Sequence, residues 1–282
     1  MGDFTGKHII VTGGSGGIGK AIAKDFFDRG ATVLICARKK SSLNETCKEI
    51  DPIGKRFFGI VADVSKIKDC KKLVNFAIKK FKKIDVLINN AGTYGEIGEL
   101  SIVNLENWRK TIETNLFGTV QCTRLVLPIM KKRKTGKIIN FAGGGIGGKN
   151  PLPNFSAYYT SKIAIAGFTE TVASELRNLG VNVNCISPGG VNTGITDYLI
   201  SQGPKKAGEE IYKQALEQKK KGKSSMEDIT NLVAFLSSSS SNHINGRLLS
   251  AKWDKIPVLK NLEKEGDLFK LRRIDKDLFY GK

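Results

Sequence analysis

Short apolar runs alternate along the chain with longer stretches in which apolar residues return every three or four positions. The runs "KHIIVT" (from Lys7), "ATVLICA" (Ala31), "RFFGIVA" (Arg56), "DVLINN" (Asp85), "GKIINFA" (Gly136), "VNVNCIS" (Val181) and "GRLLSA" (Gly246) read as strands. Between the first six lie segments with helical spacing. Strands such as "HIIV" and "TVLIC" are apolar at every position, which suits strands buried on both faces rather than on one. That order predicts an α/β chain, a doubly wound parallel sheet covered by helices on both sides.

No Pro/Gly/Ser-rich linker interrupts the pattern, so a single domain is expected over residues 1–252. A chain of 282 residues can bury roughly three quarters of its unfolded surface without a disulfide or metal staple. Residues 253–282 form a tail with apolar residues at intervals (Ile256, Leu259, Leu262, Leu268, Phe269, Leu271). Such a segment is expected to pack on the domain or across a subunit interface.

Five cysteines, none in a CxxC or Cys/His spacing, point away from a metal site and toward a reducing, cytoplasmic setting. The N-terminal apolar run is too short for a signal peptide, and no stretch approaches membrane-spanning length, so a soluble protein with no membrane partner is expected. The formal net charge of +19 is carried by clusters such as Lys79–Lys83, Lys131–Lys134 and Lys219–Lys223. A positive field would concentrate anionic ligands. Solvated helix ends explain the same lysines and are the preferred reading. Without aromatic residues among the clusters there is no stacking platform, and nucleic acid is not an expected partner.

The first strand runs into "TGGSGGIGK", with Gly13, Gly17 and Gly19 at the turn and in the first turn of the next helix, and Ser15 and Ile18 between them. Bare glycines let the backbone approach a pyrophosphate, whose charge is met by the helix N-terminus. A dinucleotide site is therefore expected. The second strand ends in Ala37, Arg38 and Lys39, with no acid to bind a ribose 2′-hydroxyl. A guanidinium at Arg38 can grip a 2′-phosphate, which favours NADP(H) over NAD(H).

Five motifs in order then carry a resemblance: T-G-x-x-x-G-x-G at Thr12–Gly19, "NNAG" at Asn89–Gly92, "NLFG" at Asn115–Gly118, Y-x-x-x-K at Tyr158–Lys162 and "SPGGVNT" at Ser187–Thr193. Over about residues 5 to 250 the chain resembles the short-chain dehydrogenase/reductase family. The resemblance implies a Rossmann-like sheet, a nicotinamide cofactor, and a homodimer or homotetramer built on long helices beginning near Val103 and Ser156. It implies Tyr158 as proton donor or acceptor at the substrate oxygen, and Lys162 as the ammonium that stabilises its phenolate and binds the nicotinamide ribose. Asn115 would bend its helix and hold a water in the relay to Lys162. Asp63 and Val64 would border the adenine, Asn89, Ala91 and Gly92 the ribose side, and Pro188, Gly189, Val191 and Thr193 the carboxamide. No metal is implied.

One element of that pattern is missing. The family places a serine at the end of the fifth strand to donate a hydrogen bond to the substrate oxygen, and here the strand reads "IINFAGGG", with Ala142 or Gly143 at that place. Ser156 begins the next helix and reads as its N-cap. Water, a backbone N–H of residues 143–145, or the substrate itself would have to serve instead. Three functions stay open: an NADP(H)-dependent oxidoreductase interconverting a carbonyl and a secondary alcohol, a cofactor-binding sensor or subunit with little turnover, and an epimerase or lyase using transient hydride transfer. Lys205, Lys206 and Lys213, in the segment after "SPGGVNT", favour an anionic substrate such as a sugar nucleotide.

Overall fold

Each apolar run is a strand: β1 (His8–Thr12), β2 (Thr32–Ala37), β3 (Phe57–Val61), β4 (Val86–Asn89), β5 (Gly136–Phe141), β6 (Val181–Ser187) and β7 (Leu248–Ser250). They form one all-parallel sheet in the order β3-β2-β1-β4-β5-β6-β7. The fold is the expected doubly wound, Rossmann-like α/β architecture, seen here in a computed structural model that describes residues 3–143, 146, 152–221, 225–262 and 270.

Apolar residues at consecutive positions are explained by the two layers of core. Ile9 and Val11 of β1, with Ile35 of β2, pack toward Ile22 and Phe26 of α1 (Gly17–Asp28) and Leu232 of α9 (Met226–Ser237). Ile10 and Leu34 point the other way, toward Leu73 of α3 (Ile67–Phe81) and Val126 of α5 (Gly118–Arg133). Side chains alternate across a strand, so a sheet covered on both faces needs an apolar residue at every step. Ile9, Ile10 and Val11 are accordingly all within 1% of complete burial.

The helix expected near Val103 starts as α4 (Leu105–Ile112), where the Asn107 N–H donates to the side chain of Asn104 at 2.9 Å. It continues through a π turn (Glu113–Phe117) into α5. The second long helix is α6 (Ser156–Glu175), and here one expectation is corrected: Phe155 occupies the N-cap position, and Ser156 lies inside the helix. The Ser156 hydroxyl instead accepts from Trp108 Nε1 of α4 at 3.0 Å, a contact between helices. In the tail, α10 (Ile256–Lys260) buries Leu259 completely in the first core layer, with Ile256 and Leu262 packed against it. Leu268, Phe269 and Leu271 lie outside the described residues. Among the described residues no helix is long and apolar enough to cross a membrane.

Asp85, just before β4, ties three elements together at the end of the sheet opposite the glycine loop. It accepts from the His8 N–H of β1 at 2.9 Å and from Arg133 of α5 at 2.9 Å, with Lys83 at 3.6 Å. Burial alone would raise its pKa; the His8 N–H and the two cations outweigh burial and hold the carboxyl below the usual carboxylate value. A folded pKa below the unfolded one adds stability that is present above about pH 4 and lost as pH falls through the folded value. Asp85→Asn should therefore lower unfolding stability by about 1–3 kcal/mol at pH 7 in a urea titration, with the difference from wild type shrinking as pH drops below about 4.

Candidate functional site

In a sheet ordered this way, β1 lies between β2 and β4, and the chain leaves it toward one side and later returns on the other. A crevice opens at the C-terminal ends of the two strands. Backbone strain and close approach shape its floor. Gly13 has φ +65°, a region L side chains rarely adopt, and a Cβ there would stand 3.0 Å from the Ala91 Cα. Thr12 fixes the distance between the two strand ends: its hydroxyl accepts from the Asn90 N–H (3.1 Å) and the Ala91 N–H (3.0 Å) and donates to the Ile88 carbonyl (3.3 Å). Asn90 returns the contact by donating its side-chain amide to the carbonyls of Thr12 (3.0 Å) and Gly13 (3.2 Å).

The glycine loop fits an anion. α1 begins after Gly16 with no side-chain cap and no acid in its first turn, so its leading N–H groups have no side-chain acceptor. Ser15 and the half-buried Ile18 sit in that loop, the Ser15 hydroxyl 3.4 Å from Ser42 Oγ. Arg38, past the end of β2, is exposed and makes no hydrogen bond or ion pair with another described residue. Asp63 accepts from the N–H and hydroxyl of Ser65 (3.0 and 2.8 Å), and Val64 is buried beneath Gly118, whose Cβ would overlap it.

A cavity of about 380 Å³ continues the crevice past β4, β5 and β6. Of the expected residues it takes in Ile18, Gly92, Tyr158, Lys162, Pro188, Gly189, Val191 and Thr193. Tyr158 borders it and Tyr159 does not. Asn89 is a correction. Its side chain turns into the interior, donating to Thr123 Oγ1 (3.0 Å) and Asn140 Oδ1 (2.8 Å), and the next residue, Asn90, borders the cavity. A single step at a strand end reverses the face on which a side chain emerges.

Lys162 lies one turn beyond Tyr158 on α6. Its ammonium donates to the Phe141 carbonyl at 2.8 Å and stands 5.8 Å from the centre of the Tyr158 ring. Asn115 sits in the π turn, fully buried, its amide donating to the Thr93 carbonyl (2.9 Å) and Ser161 Oγ (3.0 Å) while its oxygen accepts from the Thr93 N–H (2.9 Å). A Cβ at Gly92 would stand 3.3 Å from both Asn115 Oδ1 and Lys162 Nζ, so the missing side chain leaves space between those two polar atoms. Burial moves the two titratable groups in opposite senses because each disfavours its charged form out of water. The Lys162 ammonium is pulled down to about 8. The Tyr158 phenol is pushed up, by loss of solvation first and by neighbouring Tyr94 second.

Of Ala142 and Gly143, which follow β5, Gly143 faces the tyrosine: a Cβ there would lie 2.5 Å from Tyr158 Oη. Ala142 is 97% buried, packed with Ile165 and Cys185. The rest of the cavity wall was not legible in the motifs. Tyr94 meets Tyr158 edge to face at 4.6 Å between ring centres, and Leu152, Phe155, Leu199, Ile211 and Ala215 complete an apolar lobe. Lys205, Lys206 and Lys213 are exposed and are not among the lining residues; Lys213 lies 3.8 Å from Glu209. Among the described residues there is no group of three or more His, Cys, Asp or Glu that could hold a metal ion.

A glycine-lined turn at the switch point of a parallel sheet defines the dinucleotide-binding class of α/β proteins. Within it, residues 7–203 match the family described as short chain dehydrogenase, and the chain belongs to that family of NAD(P)-binding oxidoreductases. It is 33% identical to dehydrogenase/reductase SDR family member 4 of Mus musculus, over 86% of this chain and 85% of that protein. It is 32% identical to the 3-oxoacyl-[acyl-carrier-protein] reductase FabG of Staphylococcus epidermidis (strain ATCC 12228 / FDA PCI 1200), over 86% and 96%. Among solved structures it resembles levodione reductase with a TM-score of 0.78 and 26% identity, covering 88% of this chain and 96% of that one.

A side chain at Gly143 must displace the phenol. Gly143→Ser should lower unfolding stability by about 1–3 kcal/mol, and the loss should shrink in a Tyr158→Ala background, as a double-mutant cycle on thermal unfolding would report.

Proposed function

We propose that the protein is an NADP(H)-dependent carbonyl reductase acting on an apolar carbonyl compound, with Tyr158, Lys162 and Asn115 as its catalytic residues. The observation that carries this reading is the cavity itself. A buried tyrosine and lysine share one end of it, and aromatic and aliphatic side chains form the other. The anionic substrate expected from Lys205, Lys206 and Lys213 loses its support, because those ammonium groups point to solvent rather than to the lobe beside Tyr158.

The glycine loop at Gly13, Ser15, Gly17, Ile18 and Gly19 would hold the pyrophosphate at the N-terminus of α1. Arg38 would grip the 2′-phosphate, Asp63 and Val64 would flank the adenine, Ala91, Gly92 and Lys162 the ribose, and Pro188, Gly189, Val191 and Thr193 the carboxamide. When bound, the cofactor supplies the hydride. Tyr158, kept protonated at neutral pH by burial, would give its proton to the substrate oxygen as the carbon is reduced. The phenolate left behind has the Lys162 ammonium one turn away, and at this separation in a site shielded from water a positive charge favours its formation. Asn115, held rigidly by three hydrogen bonds, presents its oxygen to the gap at Gly92, where a water can link it to Lys162. No side chain at Gly143 donates to the substrate oxygen, so the tyrosine hydroxyl carries that contact, and turnover is expected to be modest. Leu105, Phe117 and Ile163 are exposed on α4, the π turn and α6, three adjoining elements, which supports a homodimer or homotetramer.

Three measurements test the reading. If Arg38 meets the 2′-phosphate, Arg38→Ala should weaken NADPH binding by about tenfold or more in a fluorescence titration while leaving NADH unchanged; equal effects on both would remove the NADP(H) assignment. Tyr158→Phe should abolish reduction of an apolar ketone and leave NADPH affinity nearly intact. In the wild-type enzyme the rate of reduction should fall as pH rises through about 8, where Lys162 loses its charge, by about tenfold per unit beyond it. A flat profile to pH 10 would exclude the lysine's charge from the step.

A further inference from the structure

Gln218, on α8 (Glu209–Lys221), reaches into the cavity and takes a backbone acceptor in the segment after β6. Its amide nitrogen donates to the Val191 carbonyl at 2.8 Å and lies 3.3 Å from Thr196 Oγ1. The Thr196 hydroxyl donates to the same carbonyl at 3.0 Å, so both lone pairs of the Val191 oxygen are used. Space for the Gln218 side chain comes from Gly190: a Cβ there would stand 2.7 Å from Gln218 Oε1 and 3.1 Å from its Cδ. The glutamine's carboxamide therefore lies against bare backbone, in a slot that any side chain at position 190 would fill.

The chemistry of that slot is specific. It holds the Gln218 carboxamide by its N–H group, which the Val191 carbonyl accepts, at the wall shared with Pro188, Gly189 and Thr193. The nicotinamide of NADP(H) ends in the same group, and in the function proposed above it is held by this segment. Two primary amides cannot donate to one acceptor whose second lone pair is already taken by Thr196. We infer that Gln218 is a built-in stand-in for the nicotinamide carboxamide, so that the cofactor's nicotinamide half must displace it from Val191 and loosen α8 as it binds.

The connection of α8 to the fold permits such a release. α7 (Gly194–Ala207) breaks at Gly203, with φ +74°, and the link to α8 is Gly208, with φ +86°, two left-handed positions that bracket a short pivot. The polar ties of the last turn of α8 beyond Gln218 are exposed: Lys219 pairs with Asp197 at 2.8 Å, and the Asn192 amide donates to the Lys219 carbonyl at 3.3 Å. Exposed ties of this kind contribute little. Ile211 and Ala215 of the same helix form part of the apolar lobe. A helix freed at Gln218 could then reseat around substrate, which links cofactor arrival to the shape of the substrate pocket.

The inference rests on the NADP(H) reading and can fail separately from it. NADPH, NADH and adenosine 2′,5′-bisphosphate, which lacks the nicotinamide, are titrated into wild type, Gln218→Met and Gly190→Ala. Gln218→Met removes the amide at nearly constant volume; Gly190→Ala leaves the glutamine but fills its slot. Gln218→Met should bind NADPH about two- to tenfold more tightly than wild type, the size of one exchanged hydrogen bond, whereas Gly190→Ala, whose Cβ fills the slot against either amide, should show no such gain; bisphosphate affinity should be unchanged in both. Hydrogen exchange in residues 209–221 should rise when NADPH binds the wild type and not when the bisphosphate does. Unchanged or weaker NADPH binding by Gln218→Met, or a gain in Gly190→Ala, would overturn the stand-in while leaving the cofactor assignment in place. If the wild type binds neither dinucleotide, the cofactor reading falls and this inference with it.

Discussion

The hydroxyl of Thr12 joins the two strand ends on which the site depends. With β1 between β2 and β4, the crevice at their C-terminal ends would have a variable width if nothing crossed it. Thr12 accepts two N–H groups from the start of the segment after β4, and Asn90 returns two donors to the segment after β1, so four hydrogen bonds span the opening. The glycines of the loop can be bare because the loop's path is already set by these contacts. Everything further along the crevice, from Gly92 to the tyrosine and lysine on α6, is placed relative to that fixed gap.

Burial then decides the chemistry. Removing Tyr158 and Lys162 from water penalises the phenolate and the ammonium alike, which drives the two pKa values toward their neutral forms from opposite directions. In the proposed function a protonated phenol beside a lysine that still carries charge at pH 7 would be an acid with its counter-charge already in position. The same constraint appears in Asn115: fully buried, it has both ends of its amide satisfied by Thr93 and Ser161, and the π turn is what brings it to them. By contrast the large net positive charge of the chain sits on the outside, in groups such as Lys205, Lys206 and Lys213, where water screens it.

Much of the architecture was legible in the order of residues. Seven apolar runs gave seven strands, the continuous burial of β1 and β2 followed from their lack of alternation, and the glycine turn and the Tyr158–Lys162 spacing marked the elements that border the crevice. These are local signals: periodicity reports how many faces of an element are covered, and a spacing of four on a helix places two side chains on one side.

What the sequence could not carry was the direction in which individual side chains leave the ends of those elements. Asn89 and Asn90 are chemically identical, and only the termination of β4 sends one into the core and the other to the cavity. Neither Ala142 nor Gly143 announces which of them faces Tyr158; the path of the chain beyond β5 does. Gln218 and part of the apolar lobe, Ile211 and Ala215, come from a helix that returns to the site across 27 residues from Val191, a contact without periodicity or motif to signal it. Family, sheet and glycine loop were therefore written in local pattern, while the shape of the cavity and the place of Gln218 in its wall were decided by packing between distant segments, where the competition for buried space and hydrogen-bond partners is settled only in three dimensions.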